Sequence, residues 1–506
     1  MNPVDFTTRR RLLQTTASLG LAGAIASPLS SALAAQQAPA FHRGSYNLEA
    51  LRRNLQGRLI LPGEMGFMMA AYPNNARWAD VIPKAIAMCA NARDIQLCVE
   101  WANLSRMPFA IRSGGHNYAG FSTTHGLLID VKAINQIELN DKEGTVKIHA
   151  GVNNQNMADS LSGTDWAVPS GRCPTVGAAG LVLGGGWGFA ATHSGLTCDS
   201  LLASEIVLAN GKLITASADN QYRDLFWGLC GGGGGNFGVN TSFTFKLHDV
   251  QADVTIFNLL WPGQKQVELL LALQKIQLEH ATSISTRTKA YPERAGAFPK
   301  FSELQVATLG QYFGPKEQLL EILRPVLDLL KPIKQDIRQM RYWQARDYLI
   351  TDDPTGMYDI RSGYVADSLQ GQALETMLQW MTRWPGGSLL PENMGILFAI
   401  GGAVRNRASD ATAYVHRNAN FIFEMECAWA PIDKHDVVKR QQAWLSDYYQ
   451  DMQRFLLAQS YVNFPCRDLP QAVQKYYGSN LPKLVELKRK YDPGNLFHFE
   501  QSIPLK

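Results

Sequence analysis

Two glycine-rich stretches constrain the fold of this chain more than any other feature. Residues 111–122 read IRSGGHNYAGFS, and residues 171–188 read GRCPTVGAAGLVLGGGWG. Each stretch places one nucleophilic side chain, His116 or Cys173, among glycines whose missing Cβ atoms let main-chain N–H groups approach a flat or anionic ligand. The pair is typical of loops that bind a large cofactor.

A third glycine-rich stretch lies at residues 229–238, which read LCGGGGGNFG. Five consecutive glycines predict main chain packed against a large planar group or a pyrophosphate, with a flexible loop as the alternative. The apolar residues 225–227 before the run and the predicted strand at 239–247 after it favour the packed arrangement. The phosphate-loop pattern GxxxxGK(S/T) does not occur in the sequence.

Length and charge limit the class of protein. The chain has 506 residues, of which 46% are apolar and 18% charged, so we expect a soluble protein with at least two domains. The net charge is +4, and no basic block stands out beyond the N-terminal arginines. Nucleic acid is therefore excluded as an expected partner.

Seven cysteines occur, and none belongs to a CxxC pair or lies at zinc-ligand spacing from histidines. No metal site is predicted. Most of these cysteines are expected to be free core residues, although Cys89 and Cys98 are close enough in sequence to consider as a disulfide in an exported protein.

The N-terminus has the pattern of an export signal. Three arginines at positions 9–11 precede an apolar run at 19–33, and the sequence ALA at 32–34 has the small-x-small form of a cleavage site. The arginines follow a threonine, as in twin-arginine signals, which are addresses rather than anchors. We expect residues 1–34 to be removed and the mature protein to be periplasmic or secreted without a membrane span; an uncleaved anchor is the alternative.

Hydrophobic periodicity predicts an α+β fold, with a mixed first section and a second section of long helices alternating with strands. The Asn210-Gly211 pair predicts a hairpin between strands 202–208 and 212–216. The other elements predicted in the first section are helices at 78–91 and 94–105 and strands at 108–112, 126–131 and 145–150. After about residue 249, the predicted strands include 303–309, 395–400 and 421–429.

Alternation along residues 421–429, FIFEMECAW, places Glu424 and Glu426 on one face of a strand, about 7 Å apart. If that face lines a closed site, one carboxyl group with a raised pKa hydrogen-bonds a substrate hydroxyl or acts as a base. A solvated sheet face is the alternative. Both glutamates are candidate catalytic residues.

Five motifs together resemble the berberine bridge enzyme-like flavoproteins of the vanillyl-alcohol oxidase superfamily. The resemblance runs from about residue 50 to the end, in family order. It implies a PCMH-type FAD-binding domain at 35–249, a substrate domain with a helix-covered antiparallel sheet at 250–459, and a C-terminal segment at 460–506 that completes the FAD domain. The motifs are RSGGHNYAGFS, GRCPTVGAAGLVLGGGWG, GLTCDSL, LFWGLCGGGGGNFG and YYGSNLPKLVELKRKYDPGNLFHFEQSIP.

The resemblance also implies how FAD is held. His116 matches the residue bonded through its ring to the flavin 8α-methyl carbon, and Cys173 the residue bonded through sulfur to flavin carbon 6. Val176 matches a position beside the flavin where a small aliphatic residue is typical of oxidases. The other implied FAD contacts are Arg112, Ser113, Gly114, Gly115 and Asn117, with Gly177, Gly180, Gly184 and Gly185 of the second loop and Asn495, Phe497 and Gln501 near the C-terminus.

The sequence YVNF at 461–464 resembles the family element whose tyrosine stands over the flavin. Tyr461 is thereby the candidate base that takes the substrate hydroxyl proton. This role requires that the pKa of the Tyr461 phenol lies below its usual value of about 10. A packed, hydrogen-bonded tyrosine is the alternative. Asn463 is expected to be a structural amide near the flavin, and Tyr118 to lie beside the substrate. Relatives carry a glutamine or lysine around Glu424 and an arginine at the position of Cys230, which leaves the substrate open.

The expected activity is oxidation of a small alcohol, a sugar hydroxyl or a secondary metabolite. The substrate hydride passes to flavin N5, and molecular oxygen reoxidises the flavin to give hydrogen peroxide. A dehydrogenase that passes electrons to a quinone or carrier is one alternative. A catalytically idle flavin-binding or ligand-binding protein is the other.

Overall fold

The computed structural model describes residues 47–350, 355–388 and 394–506. The predicted export signal at 1–34 lies outside the described residues. Within the described ranges, no helix combines the length and the apolar character that crossing a membrane requires.

A four-stranded sheet supports the first glycine-rich loop. Its strands lie in the order β1-β2-β4-β3, with β1 antiparallel to β2 and the other pairs parallel. Strands β3 and β4 confirm the predictions at 108–112 and 126–131. The four strands are β1 (Arg58–Ile60), β2 (Ala85–Met88), β3 (Phe109–Arg112) and β4 (Leu127–Asp130).

The helix predicted at 78–91 is wrong. The chain there makes one 3₁₀ turn, Ala76–Trp78, and then forms β2. The first three residues of β2 are completely buried, and the strand pairs with β1 on one side and β4 on the other. A short apolar run suits either a buried strand or a buried helix, and here the two neighbouring strands decide between them.

The described residues of the first section form seven α-helices. The third confirms the helix predicted at 94–105: the Asn91 side chain caps its start by accepting from the Asp94 N–H at 3.0 Å, and the chain leaves it at Arg106 in the left-handed conformation. The helices are α1 (Leu48–Asn54), α2 (Phe67–Ala71), α3 (Ala92–Ser105), α4 (Asn154–Leu161), α5 (Ala178–Leu183), α6 (Ala191–Ser194) and α7 (Arg223–Leu229).

A second sheet is antiparallel throughout and has the strand order β5-β6-β10-β8-β9. The hairpin β8–β9 turns at Gly211, whose φ of +77° suits the predicted Asn-Gly turn. Strands β6 and β10 confirm the predictions at 145–150 and 239–247. The strands of this sheet are β5 (Ile137–Asn140), β6 (Thr145–His149), β8 (Leu201–Leu208), β9 (Leu213–Ser217) and β10 (Gly238–Lys246). A separate antiparallel pair is formed by β7 (Trp166–Ala167) and β11 (His248–Asp249).

The second section is a seven-stranded antiparallel sheet in the order β15-β12-β14-β13-β17-β18-β16, as the resemblance implies. It contains the strands predicted at 303–309, 395–400 and 421–429. Its strands are β12 (Val254–Trp261), β13 (Ile284–Pro292), β14 (Leu304–Tyr312), β15 (Lys334–Met340), β16 (Met357–Val365), β17 (Met394–Ala399) and β18 (Phe421–Trp429). Its helices are α8 (Gln266–Glu279), α9 (Lys316–Leu329), α10 (Tyr342–Leu349), α11 (Gly371–Thr382) and α12 (His435–Met452).

The two faces of the seven-stranded sheet have different partners. Helices α8, α9, α11 and α12 cover one face, where the Thr286 hydroxyl on β13 donates to Gln277 of α8 at 2.9 Å. The alternate residues of β13, including Arg287, lie on the opposite face, here called the inner face. It is turned toward the glycine-rich loops, because the Trp187 indole donates to the Ala399 carbonyl at 2.7 Å and its ring meets Phe398 at 4.8 Å.

The cysteines of the described residues are all buried, and none of them forms a disulfide. The sulfur atoms of Cys89 and Cys98 lie 3.9 Å apart, so they are in contact without being bonded. Among the described residues, no group of histidine, cysteine and acidic side chains is arranged to hold a metal ion.

The C-terminal helices α13 (Ala472–Tyr477) and α14 (Leu481–Tyr491) return to the first section. The buried ammonium group of Lys488 on α14 donates to the Asn236 carbonyl at 2.8 Å, to Asp492 at 2.7 Å and to the Phe497 carbonyl. One cation thus ties the end of the chain to the residue after the five glycines. The domain boundaries at residues 249 and 459 stay predictions.

Replacing Lys488 by methionine is expected to destabilise the protein by about 3–5 kcal/mol, because it leaves the Asp492 carboxylate buried without its cation. The matched control is Lys490→Met, which removes an exposed ion pair with Asp224 from the same helix and is expected to change stability by about 0–1 kcal/mol. Urea unfolding followed by tryptophan fluorescence measures both, and equal losses would contradict the assignment.

Candidate functional site

A large cavity lies between the glycine-rich loops, the C-terminal segment and the inner face. Its volume is about 290 Å³, near the lower end of the ~300–1,000 Å³ that is usual for ligand sites. The predicted site residues that line it are Ser113, Gly114, Gly115, His116, Asn117, Tyr118, Cys173, Val176, Gly177, Gly180, Tyr461, Asn463, Phe497 and Gln501.

Arg112, at the end of β3, fixes the shape of the first loop. Its buried guanidinium donates to the carbonyl of Ser122 at 2.8 Å and to those of Ala70 and Ala71 at 2.7 and 2.9 Å. Burial lowers its pKa to about 10, so the group stays charged at neutral pH. Arg112 is not among the residues that line the cavity, while its Nη2 atom has no hydrogen-bond partner in the described part of the chain, so the contact with the FAD pyrophosphate stays a prediction.

The second loop docks directly on the first. The Thr175 hydroxyl lies 2.9 Å from His116 Nε2, and the Asn154 amide holds the Cys173 carbonyl at 2.9 Å. A Cβ atom on Gly114 would overlap the backbone nitrogen of Gly177, so the glycines permit this loop-to-loop contact. The contact brings His116 and Cys173 to one cavity.

Other glycines leave bare main chain on the cavity wall. A Cβ atom on Gly180 would meet no protein atom within 4 Å, and one on Gly234 or Gly235 would meet its nearest neighbour only at 3.6 Å. Such side chains would project into the cavity. In contrast, Gly231 packs against Tyr414. The wall is thus shaped for a large planar group and fits FAD, with the five-glycine run contributing to it at residues 233–235.

Three residues predicted to contact FAD lie behind the wall. Gly184 packs against the Asn463 side chain, and Gly185, with φ +116°, packs against Tyr414. Asn495 has φ +50° and its N–H donates to the Asp492 carbonyl at 2.9 Å. These three residues therefore pack behind the cavity wall and do not line the cavity. Their glycine-rich or turn sequence reflects the backbone conformation at these positions.

The C-terminal segment closes one side of the cavity, as predicted. The Gln501 amide donates to the Cys466 carbonyl at 2.7 Å and accepts from the Tyr476 hydroxyl at 3.0 Å. The Phe497 ring meets Phe109 of β3 edge-on at 5.6 Å. Both predicted residues line the cavity. Gln501 holds the C-terminal segment together, and Phe497 joins that segment to β3.

Tyr461 presents a hydroxyl group with an unusual set of partners. The side chain is 1% exposed, and its oxygen accepts from the Gly186 N–H at 3.0 Å and the Asn463 amide at 3.2 Å. Burial raises its pKa to about 12, although both donors favour the ionised form. Because the two donors occupy the oxygen lone pairs, the phenol proton is left to donate to a ligand.

Aromatic side chains surround this hydroxyl. Phe464 meets Tyr461 edge-on at 5.0 Å and stacks on Tyr118 at 5.6 Å. Phe398, from the inner face, lies 5.6 Å from Phe464. Sequence analysis missed Trp187, Phe398 and Phe464 as lining residues, because strand alternation does not reveal which face meets another part of the chain.

Glu424 and Glu426 share the inner face, as alternation predicted, but neither lines the cavity. Glu424 is 3% exposed, so the solvated-face alternative is wrong for this residue. Glu424 lies between Ile396 and Ser362 of the neighbouring strands. The two glutamates raise the pKa of the Arg287 guanidinium, but burial lowers it by more, so that it lies at about 10.

Two family models match parts of the chain. Residues 83–217 match the family model of the FAD binding domain, and residues 460–504 match the model "Berberine and berberine like". The uncharacterized FAD-linked oxidoreductase YvdP of Bacillus subtilis is 32% identical over 89% of this chain and 98% of its own.

Solved structures agree with this relationship. BBE-like 1 of Physcomitrella patens superposes with a TM-score of 0.81 and 27% identity over 91% of this chain and 99% of its own. A chitooligosaccharide oxidase has the same fold, with a TM-score of 0.78 and 23% identity over 90% of this chain and 98% of its own. The chain has the PCMH-type FAD-binding fold and belongs to the berberine bridge enzyme-like family of FAD-linked oxidoreductases.

Proposed function

We propose that the protein oxidises a hydroxyl group of a carbohydrate or another small alcohol, with molecular oxygen as the electron acceptor. The observation that carries the proposal is the Tyr461 hydroxyl, which lies in an aromatic compartment of the cavity that His116 and Cys173 also line. Aromatic walls suit a sugar ring, an aromatic alcohol or another secondary metabolite. The name of the chitooligosaccharide oxidase supports the carbohydrate.

The cofactor is FAD bound covalently through the His116 ring and the Cys173 sulfur. Both side chains line the same cavity from interlocked loops, which supports attachment at two points of one flat ring system. When bound, FAD supplies the hydride acceptor and the reaction with oxygen that forms hydrogen peroxide.

The chain positions the substrate and moves its proton. Tyr118 contacts the substrate, while Asn463 and the Gly186 N–H hold the Tyr461 oxygen. Tyr461 acts as its phenolate, which forms when the phenol loses its own proton to solvent and then takes the proton of the substrate hydroxyl. Burial raises the pKa of this phenol to about 12 and the two N–H donors only partly offset that effect, so the phenolate is a minor species at neutral pH. Glu424 and Glu426 are not proposed as the base, because neither lines the cavity. Export through the predicted signal at 1–34 belongs to the same proposal.

Covalent attachment predicts that flavin absorbance stays with the protein when the protein is denatured. After acid precipitation, the wild type, His116→Ala and Cys173→Ala are each expected to retain protein-bound flavin absorbance, because one bond remains in each single variant. The double variant is expected to lose it. Cys230→Ala, which changes another buried cysteine, is the control and should retain both bonds. Colour that persists in the double variant would show that other residues attach the flavin.

Oxygen as the acceptor predicts rapid reoxidation. Stopped-flow absorbance of the substrate-reduced enzyme in air-saturated buffer is expected to show fast return of oxidised flavin with stoichiometric peroxide. Val176→Leu is expected to slow this step by crowding the flavin, while Val239→Leu changes another valine of the cavity wall and serves as the control. Slow reoxidation of the wild type, rescued by a quinone, would instead identify a dehydrogenase.

A tyrosine base predicts an alkaline pH dependence. Because burial raises the pKa of Tyr461 to about 12, the phenolate fraction increases as pH rises, and kcat/KM should increase with it. Tyr461→Phe should lower kcat by about 10²–10⁴-fold and remove this dependence. Tyr364→Phe, which removes another buried hydroxyl, is the control. A profile that is already flat from pH 6 upward would favour a carboxylate base with a pKa near about 4.3.

A further inference from the structure

Thr175 of the second loop meets the imidazole ring of His116 in the first. Its hydroxyl oxygen lies 2.9 Å from His116 Nε2. His116 lines the cavity, whereas Thr175 is not among the lining residues. Thr175 can therefore affect a cofactor in the cavity only through the histidine, so any role it has there is to position the ring.

The main chain holds Thr175 in place on both sides. The carbonyls of Pro174 and Val176 accept from the N–H groups of the first two residues of α4, each at 3.0 Å. The Thr175 carbonyl lies so close to Gly114 that a Cβ atom there would come within 2.9 Å of it. The hydroxyl thus reaches His116 from a short segment whose neighbours are fixed to α4 and to the first loop.

A hydrogen bond at one ring nitrogen of a histidine determines what the other nitrogen can do. A neutral imidazole has one N–H group and one nitrogen with a lone pair. The hydrogen bond decides which nitrogen carries the proton and how the ring is turned. When the Thr175 oxygen accepts from Nε2–H, the lone pair lies on the other nitrogen, and only a nitrogen with its lone pair can form a bond to carbon.

We propose that Thr175 is a positioning residue for covalent attachment of the flavin through His116. Its hydroxyl accepts from Nε2–H, which fixes the ring and leaves the lone pair of the other nitrogen for the flavin 8α carbon. This role deepens the covalent attachment proposed above and rests on it.

The attachment balances with molecular oxygen as the oxidant. A bond forms between the ring nitrogen and the 8α carbon, while one C–H bond of the methyl group and the Nε2–H bond break. The two electrons released pass through the flavin to oxygen, which takes up both protons and becomes hydrogen peroxide. The proton that leaves the ring is the one that Thr175 binds.

The test uses the Cys173→Ala protein, in which the His116 bond is the single proposed attachment. The full-length protein is produced with ample riboflavin and precipitated with acid, and its intact mass gives the fraction of chains with covalent flavin. Adding Thr175→Val, which replaces the hydroxyl by a methyl group, is expected to lower this fraction by at least about tenfold, because the ring loses its orientation. Adding Thr175→Ser keeps the hydroxyl and should preserve the fraction.

A second background separates positioning of the histidine from general support of the loop. In His116→Ala, the Cys173 sulfur is the single proposed attachment, so adding Thr175→Val should leave the covalent fraction unchanged. An equal loss in both backgrounds would show that Thr175 supports the loop, and this would overturn the inference. Undiminished attachment in Cys173→Ala with Thr175→Val would overturn it as well.

A measurement on the ring itself distinguishes failure of this inference from failure of the proposed attachment. If the Cys173→Ala protein carries no covalent flavin, its His116 ring is unmodified, and the nitrogen NMR shift of Nε2 in histidine-labelled protein reports the hydrogen bond. A shift that changes with Thr175→Val and not with Thr175→Ser would mean that only the proposed attachment fails. A shift that Thr175→Val leaves unchanged would overturn the inference.

Discussion

The site depends on one buried cation. Arg112 leaves β3 at the start of the first loop, and its guanidinium binds the Ser122 carbonyl at the far end of that loop. The same group holds the end of α2 through two further carbonyls. A buried charge is tolerated only when its hydrogen bonds are supplied, and a planar guanidinium can serve several carbonyls at once. The loop that carries His116 is therefore closed by a side chain that lies outside the cavity.

The cavity is assembled from parts that are far apart in sequence. The loops with His116 and Cys173 form one side, Phe398 comes from the seven-stranded sheet, and Gln501 comes from the C-terminus. Lys488 connects the last of these parts to the glycine run through the Asn236 carbonyl. Because no single section encloses the cavity, the cofactor site and the substrate compartment become complete only when the sheet and the C-terminal segment are both in place.

Structural features that depend on neighbouring residues alone could be predicted from the sequence. Glycine patterns located the loops of His116 and Cys173, and the Asn-Gly turn located a hairpin. Sequence analysis failed where distant contacts decide, because pairing with β1 and β4 makes a strand, β2, of residues within the predicted helix at 78–91. The place of Phe398 in the cavity wall has no sequence signal either, because strand alternation gives the face of a residue but not what that face meets.

The contact between Gly114 and Gly177 has a consequence for protein engineering. Each glycine occupies the space that a Cβ atom of the other would need, so the structure of each loop depends on the presence of the other. Grafting the His116 loop alone onto another scaffold would transfer a histidine without the surface that sets its distance from the sulfur. A successful graft has to include both loops, the Asn154 side chain that holds the Cys173 carbonyl, and Arg112, whose guanidinium closes the first loop.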